Sequence, residues 1–203
     1  MSAYRAPAGE SRAEIREKGS RFLAVVGPAA DEAAAKALLE ALARKYSDAT
    51  HHCWAWRLGE PPRERSADAG EPAGTAGVPI LQVLRGAGLA DVLAVVIRWY
   101  GGTKLGKGGL ARAYAGAARE AVAGLAVVSR APVVRLSVEV PFDRLGAVKR
   151  LIRPPEIELE REEYGAAARL GLLVHEERLE ALRESLAELG AGMILEAEKA
   201  SNL

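Results

Sequence analysis

The feature that most constrains the fold lies in the last third of the chain, where predicted strands and helices follow one another in a fixed order. Four segments are predicted as strands: VVRLSVEV (133–140), IELEREEY (157–164), ARLGLLVH (168–175) and GMILEAEK (192–199). Two segments carry apolar residues at helical spacing: FDRLGAVKRLI (142–152) and HEERLEALRESLAEL (175–189). The order β-α-β-β-α-β is typical of the ferredoxin-like split βαβ fold, which we therefore predict for residues 132–203.

The chain before Ala131 and Pro132 is less regular but also mixes strands with helices. In order, we predict a hairpin through Gly19 and Ser20, a helix from Asp31 to about Tyr46, a strand at 50–58, a polar loop at 59–77, a helix at 78–87, a strand at 91–100 and a helix from about Gly109 to Leu125. The strand DVLAVVIRWY (91–100) is apolar almost throughout, so we expect both of its faces to be buried. These patterns predict a first α+β domain over residues 1–131.

Composition limits the classes of protein to which the chain can belong. The single cysteine, Cys53, cannot form an internal disulfide and is typical of a reducing cytosol. The polar N-terminus lacks a secretory signal pattern, and no apolar run approaches the ~18 residues of a membrane span. We therefore expect a cytoplasmic protein that has no membrane partner.

Charge is distributed unevenly along the chain, although the net charge is only +1. Up to Ala131 there are 18 Lys and Arg against 13 Asp and Glu, and from Pro132 onward there are 10 against 14. Residues 98–130 alone carry six basic residues and one acid, Glu120. A surface that binds a polyanion is therefore expected on the first domain, although basic residues can equally well serve only to solvate a helix.

The glycine-rich segment GGTKLGKGG (101–109) follows the predicted buried strand and precedes a helix. That order exposes backbone N–H groups and the positive end of a helix dipole, which together can bind an anion. The segment matches the G-x-x-x-x-G-K pattern of phosphate-binding loops, but Gly108 stands where a magnesium-binding Ser or Thr would follow Lys107. A nucleotide hydrolase is therefore disfavoured, and an anion cradle and a purely structural turn stay open as alternatives.

Other polar residues are candidates for catalysis or metal binding. Asp68 and Glu71 lie in the loop SADAGEPAGTAG (66–77), where carboxylates can transfer protons or simply shape turns. His51 and Cys53 share one face of a predicted strand. Two such side chains are fewer than the about four ligands of a structural zinc site, so we expect neither a metal nor a cofactor.

Aromatic residues are concentrated in the same part of the chain. Trp54 and Trp56 lie on the strand that carries His51, and Trp99 and Tyr100 precede the glycine-rich segment. Such side chains can stack on nucleobases, and the alternative is that they pack in the core, which is favoured for Trp99.

Three blocks of the sequence resemble the YigZ/IMPACT family: HHCWAWRLG (51–59), DAGEPAGTAGVPILQVL (68–84) and DVLAVVIRWYGGTKLGKGGLARAYAGA (91–117). The resemblance implies, for the first domain, the left-handed βαβ fold shared by a ribosomal small-subunit protein, a domain of elongation factor G and the GHMP kinases. It implies for the second domain a likeness to the C-terminal domain of elongation factor G. Eukaryotic members are translational regulators that use an additional domain, whereas no activity is settled for bacterial members.

Two positions depart from the pattern of that family. Its acidic loop typically reads S-D-D-G-E-P, where this chain has Ala67 and Ala69 on either side of Asp68. The loop therefore lacks one hydroxyl and one carboxylate, which weakens a metal-binding or acid–base role. The family often has Thr in place of Lys107, so this lysine is not expected to act as a catalytic P-loop lysine.

Residues and resemblance together predict binding to RNA or the ribosome, linked to the regulation of translation. The expected contacts surround the glycine-rich turn and the acidic loop: Gly70, Thr75, Arg98, Tyr100, Gly101, Gly102, Lys104, Gly106, Lys107, Gly108, Gly109 and Arg112. The acidic second domain would either dock on a protein partner or pack against the first domain.

Two other functions stay open. One is an enzyme that acts on a small phosphorylated or carboxylated substrate, with Asp68, Glu71 and His51 as the groups that transfer protons. The other is a protein-interaction module with no ligand of its own. No pattern in the sequence assigns a catalytic activity.

Overall fold

The computed structural model describes residues 3–190 and 193–200, which divide into two compact units. One unit is Tyr4–Arg130, and the other contains the chain from Ala131 onward. Both units combine helices with antiparallel sheets, which confirms the predicted two-domain α+β class. Among the helices of the described residues, none is both long enough and apolar enough to span a bilayer.

The first unit contains seven strands and three helices. The strands are β1 (Tyr4–Pro7), β2 (Ser11–Glu17), β3 (Ser20–Pro28), β4 (His51–Leu58), β5 (Arg63–Ala67), β6 (Val92–Trp99) and β7 (Val127–Arg130). The helices are α1 (Glu32–Lys45), α2 (Gly77–Gly86) and α3 (Gly106–Ala123). Five strands form one sheet in the order β2-β3-β6-β4-β5, and β1 pairs with β7 in a separate ribbon.

The apolar strand β6 lies at the centre of the five-stranded sheet, as its composition predicts. Its neighbours β3 and β4 both run antiparallel to it, so they are parallel to each other. Helix α1 connects β3 to β4, which makes these elements a βαβ unit with β6 inserted between its two strands.

Residues that alternate along the strands divide the core of this unit between the two faces of the sheet. Cys53 and Ala55 of β4 pack with α2 and α3 on one face. Trp56 and Leu93 pack with α1 on the other face. Because side chains on a strand alternate between faces, neighbouring residues of β4 belong to different halves of the core.

The second unit has the ferredoxin-like topology that the sequence predicts. Its elements are β8 (Val133–Val140), α4 (Phe142–Lys149), β9 (Ile157–Tyr164), β10 (Ala168–His175), α5 (Leu179–Glu188) and β11 (Met193–Ala200). The strand order β11-β8-β10-β9 places the first and third strands of the unit at the centre of an antiparallel sheet. Gly192, the first residue of the predicted last strand, lies outside the described residues.

The observed elements differ from the predicted ones in a few places. Strand β5 lies inside the segment predicted as a polar loop, where its short RERSA sequence forms the charged edge of the sheet. Strands β1 and β7 were not predicted, because each has only four residues and pairs with a strand far away in sequence. Helix α3 begins at Gly106 rather than near Gly109, and a 3-10 turn at Glu176–Arg178 delays the start of α5 to Leu179.

Candidate functional site

The carboxylate of Asp68 occupies the N-terminus of α2. Its Oδ1 accepts hydrogen bonds from the backbone N–H groups of Ala76 at 2.9 Å and Gly77 at 2.8 Å, and its Oδ2 accepts one from Gly74 at 2.8 Å. Burial alone would raise the pKa of Asp68, but these three donors outweigh it and hold the pKa below its ordinary value. Asp68 therefore shapes the loop and caps the helix, and its oxygens are engaged within the protein.

The carboxylate of Glu71 points into the protein, and its side chain is only 3% exposed. Its Oε1 accepts hydrogen bonds from Arg98 Nη1 at 2.5 Å and from the Tyr114 hydroxyl at 2.7 Å. Burial raises the pKa of Tyr114, so the phenol stays protonated and donates to Glu71. Glu71 thus ties the acidic loop to β6 and α3.

His51 and Cys53 also contact the acidic loop from strand β4. The Cys53 thiol donates to the carbonyl of Asp68 at 2.9 Å, and burial raises the pKa of Cys53 to about 12, so it is not a nucleophilic thiolate. His51 Nδ1 donates to the carbonyl of Ala69 at 3.0 Å, and its Nε2 lies 3.8 Å from Glu71 Oε1. Of the three residues considered for proton transfer, His51 and Glu71 lie close together in the structure. The carboxylate of Asp68 instead accepts hydrogen bonds at the N-terminus of α2.

Two residues that the sequence placed on a binding surface lie inside the protein. Arg98 is 4% exposed, because it lies on the buried strand β6 and its charge is balanced by Glu71. Thr75 is buried as well, and its hydroxyl donates to the carbonyl of Pro72 at 2.6 Å. The signal for Arg98 was present in the sequence, since a lone arginine in an apolar strand requires a buried partner.

Ser20 and Tyr114 belong to the same polar cluster but were missed by the sequence analysis. The Ser20 hydroxyl accepts hydrogen bonds from Arg98 Nη2 and from the backbone N–H of Gly101, both at 3.2 Å. Ser20 is fully buried next to a hairpin turn, and nothing in its local sequence distinguishes it from an exposed turn residue. The cluster formed by Ser20, Glu71, Arg98 and Tyr114 is hereafter called the buried cluster.

The glycine-rich turn is held by close backbone packing at its first residue. A Cβ added to Gly101 would lie 1.9 Å from the carbonyl carbon of Gly19, so only glycine fits at this position. Gly102 has a φ of +85° and its carbonyl accepts a hydrogen bond from the Tyr100 hydroxyl at 2.7 Å. The buried cluster and the β2–β3 hairpin therefore position the turn.

The N-terminus of α3 lacks the features that satisfy α2. No side chain of a described residue accepts a hydrogen bond from its first N–H groups, whereas Asp68 accepts hydrogen bonds from Ala76 and Gly77 at the start of α2. Lys104, Lys107 and Arg112 are exposed, and none of them forms an ion pair with a described residue. A Cβ added to Gly108 would lie 3.4 Å from Arg112 Nη1, so the guanidinium of Arg112 extends back over the first turn.

The exposed residues of this end of α3 form one positively charged surface, hereafter called the α3 surface. It consists of the exposed residues Tyr100, Lys104, Gly106, Lys107, Gly108 and Arg112, with the half-buried Gly109 among them. Gly70 is exposed too, but it belongs to the acidic loop and lies against His51. Nothing in the described parts of the chain groups three or more His, Cys, Asp or Glu residues as a metal site.

Comparisons with known proteins agree with these observations. The Impact N-terminal domain family matches residues 18–122, and a domain of unknown function, DUF1949, matches residues 138–192. IMPACT family member YigZ of Escherichia coli (strain K12) is 31% identical over 197 residues, which cover 96% of this chain and 97% of that protein.

Two further relatives extend the comparison. An IMPACT family member in the pol 5' region of Thermus thermophilus is 42% identical over 156 residues, or 75% of this chain and 83% of that protein. A crystal structure of a hypothetical protein is 30% identical with a TM-score of 0.73, covering 98% of this chain and all of that one (100%). The matches of both domains and the identity along nearly the whole chain show that this protein belongs to the IMPACT family.

Proposed function

We propose that the protein binds RNA, free or on the ribosome, through the α3 surface, and that this binding serves the regulation of translation. The observation that carries the proposal is the N-terminus of an 18-residue helix that no described side chain caps, next to three cations that have no acidic partner among the described residues. The link to translation comes from the IMPACT family, whose eukaryotic members regulate that process.

The chemistry of the α3 surface suits phosphate groups. The first N–H groups of a helix have no intrahelical acceptor, and the helix dipole adds partial positive charge at the same point. Lys104, Lys107 and Arg112 supply full charges around those donors, and Tyr100, which is 47% exposed, offers an aromatic face to a base. Because Gly101 and Ser20 hold the turn from within, little conformational entropy is lost on binding.

The enzymatic alternative has weaker geometric support. The oxygens of Asp68 accept three backbone hydrogen bonds, and Glu71 is buried against Arg98 and Tyr114. A group that transfers protons to a substrate must reach it, and neither carboxylate is on the α3 surface. Binding of a polyanion needs only the exposed cations and N–H groups.

A salt titration with structured RNA tests the proposal. The logarithm of the binding constant should fall linearly with the logarithm of salt concentration, and each lost phosphate contact should reduce the slope by about 1. We therefore expect Lys104→Ala, Lys107→Ala and Arg112→Ala each to weaken binding and to flatten the slope. Arg44→Ala is the matched control, because it removes the same charge from α1, on the other face of the sheet.

Equal effects of Arg44→Ala and Lys107→Ala would contradict the proposal, because they would show dependence on net charge alone. Absence of RNA binding at low salt would contradict it as well. A thermal-shift screen with small phosphorylated and carboxylated molecules addresses the enzymatic alternative, since a ligand at 100 times its Kd stabilises a protein by about 2.7 kcal/mol. Pull-down from lysate with and without RNase separates RNA from protein partners.

A further inference from the structure

A cavity of about 370 Å³ lies between α1 and the strands β4 and β5. Its helix side is formed by Ala33, Ala35 and Leu39, and its strand side by Trp54, Trp56 and Leu93. The first turns of α1 consist largely of alanine, and these short side chains leave space above the two indoles. The volume lies within the range of sites for small organic ligands, about 300–1,000 Å³.

The two indoles in this cavity have donor groups that the protein does not use. Trp99, by contrast, donates its indole N–H to Asp48 at 2.8 Å. Neither Trp54 nor Trp56 forms a hydrogen bond with any described residue, although Trp56 is only 7% exposed. The N–H of Trp56 is not among the fully enclosed polar atoms without a partner, and Trp56 lines the cavity. An indole N–H that lines a largely apolar cavity can donate to an acceptor on a ligand.

The rim of the cavity carries an excess of positive charge. Arg65 is the cross-strand partner of Trp56, is exposed, and forms no ion pair or hydrogen bond with a described residue. Lys36 lies on the helix side, with its Nζ 3.9 Å from Glu40. The acid at the rim, Glu32, is paired with Arg63 at 3.0 Å, so its charge is already balanced.

We propose that this cavity binds a nucleotide, with the base against Trp54 and Trp56 and the phosphate on Arg65 and Lys36. A heteroaromatic base supplies a flat apolar surface together with acceptors for the indole N–H groups. A phosphate supplies the charge that complements the two cations. An aliphatic anion would leave the indoles unused, and a neutral aromatic molecule would leave the cations unused.

The nucleotide is either a free mononucleotide or the end of an RNA strand, since both present the same base and phosphate. The inference does not depend on the proposed RNA binding by the α3 surface. Trp56 and α1 pack on one face of the sheet, whereas α3 packs on the other. Variants of Lys107 should therefore leave nucleotide binding to the cavity unchanged.

Isothermal titration calorimetry of the full chain with AMP, GMP, CMP and UMP tests the proposal. At least one nucleotide should bind about 10-fold or more tightly than its nucleoside and than inorganic phosphate, because each part alone uses half of the site. Arg65→Gln should weaken nucleotide binding by about 10-fold, the effect of one charge-assisted hydrogen bond.

A cavity-filling variant provides the decisive comparison. Ala33 lines the cavity and Ala34 does not, although both are exposed on the same turn of α1. Ala33→Leu should abolish nucleotide binding, whereas Ala34→Leu should leave the affinity unchanged. Both variants keep every polar group of the cavity. A fold defect in either variant would lower its melting temperature, which is measured separately from nucleotide binding.

Two further titrations identify the source of the nucleotide. Short single-stranded RNA with and without a terminal phosphate is compared with the mononucleotides. Tighter binding of the phosphorylated RNA, lost in Ala33→Leu, supports the strand end as the ligand. Tighter binding of mononucleotides supports the free form. Equal affinity for inorganic phosphate, equal effects of Ala33→Leu and Ala34→Leu, or no binding of any nucleotide would overturn the proposal.

Discussion

Helices α2 and α3 both follow glycine-rich segments in the same unit, yet they differ in whether their first backbone N–H groups have a hydrogen-bond acceptor. The loop before α2 supplies its own carboxylate, because Asp68 accepts hydrogen bonds from Ala76 and Gly77. No described side chain caps α3, although the first turns of both helices lack an acidic residue. The N–H groups at the start of α2 thus have an acceptor within the chain, whereas those at the start of α3 are available to an external anion.

This difference teaches that a glycine-rich segment before a helix is not by itself evidence of a ligand site. The sequence of the acidic loop is compatible with proton transfer, but its two carboxylates, Asp68 and Glu71, bond the loop to α2, β6 and α3. The turn before α3 is held instead by backbone packing of Gly101, and Lys104 and Lys107 form no ion pair with a described residue. Charged and polar groups that pair within the protein are not available to a ligand, so the internal hydrogen bonds decide which groups can form a binding site.

The largest expected effect comes from breaking the ion pair that anchors the acidic loop. Glu71→Ala would leave the buried charge of Arg98 without its carboxylate, and Arg98 Nε already has no hydrogen-bond partner among the described residues. We expect the free energy of unfolding to fall by about 3–5 kcal/mol, measured by urea denaturation. Glu71→Gln retains an acceptor and should cost less, which keeps the test informative if Glu71→Ala does not fold.

Glu17→Ala is the matched control for this change, because Glu17 is exposed on β2 and has no ion-pair partner among the described residues. It should alter the free energy of unfolding by no more than about 0.5 kcal/mol. If Glu71→Ala were as mild as Glu17→Ala, the ion pair with Arg98 would not stabilise the fold, and the acidic loop would not be anchored by it.

The second test concerns the packing that holds the turn before α3. Gly101→Ala would force a Cβ to within 1.9 Å of the Gly19 backbone and should lower the free energy of unfolding by about 3 kcal/mol. Gly102→Ala meets no neighbouring atom but retains a left-handed φ of +85°, so the loss should be about 1–2 kcal/mol. Urea denaturation of both variants measures the difference, and equal losses would exclude backbone packing as the constraint.

The third test removes the charge that caps α2. Asp68→Asn should lower the free energy of unfolding by about 1–2 kcal/mol at neutral pH, since it weakens the acceptor for three backbone N–H groups. The folded pKa of Asp68 is lowered, so its stabilising effect is present above the ordinary aspartate pKa of about 3.9 and is lost as pH falls through the folded pKa.

The stability difference between the wild type and Asp68→Asn should therefore shrink as pH decreases below about 4. Urea denaturation at a series of pH values, restricted to conditions where the folded baseline is defined, measures this difference. A difference that is independent of pH would show that the Asp68 charge does not stabilise α2.

The smallest expected effect comes from closing the open helix end. Lys107→Glu places an acid in the first turn of α3 and should raise the free energy of unfolding by about 0.3–1 kcal/mol through the helix dipole. The same change should abolish RNA binding if the α3 surface holds phosphates. Arg119→Glu, an equal charge change farther along the helix, should give neither the stabilisation nor the full loss of binding.

Much of the fold could be predicted because it depends on local periodicity. The order of elements in the second unit and the central strand β6 follow from patterns within single segments. Strand β5 was missed because its alternating charged residues resemble a loop until β4 provides a partner edge. Strands β1 and β7 were missed because their pairing joins the two ends of the first unit, from Tyr4 to Arg130.

The candidate site could be predicted only in part, for the same reason. Lys104, Lys107 and Arg112 are exposed, and their positive charge can be read directly from the sequence around the start of α3. The inward position of Arg98 depends on Glu71, a residue 27 positions away in sequence.

The sequence by itself determined most of the strands and helices and where positive charge accumulates. The tertiary structure decided which charged groups pair with each other and which remain free. The physical reason is that a charge can be buried only beside a partner that satisfies it. For Asp68, Glu71 and Arg98 those partners come from other elements of the fold, so their roles emerge only when these elements pack together.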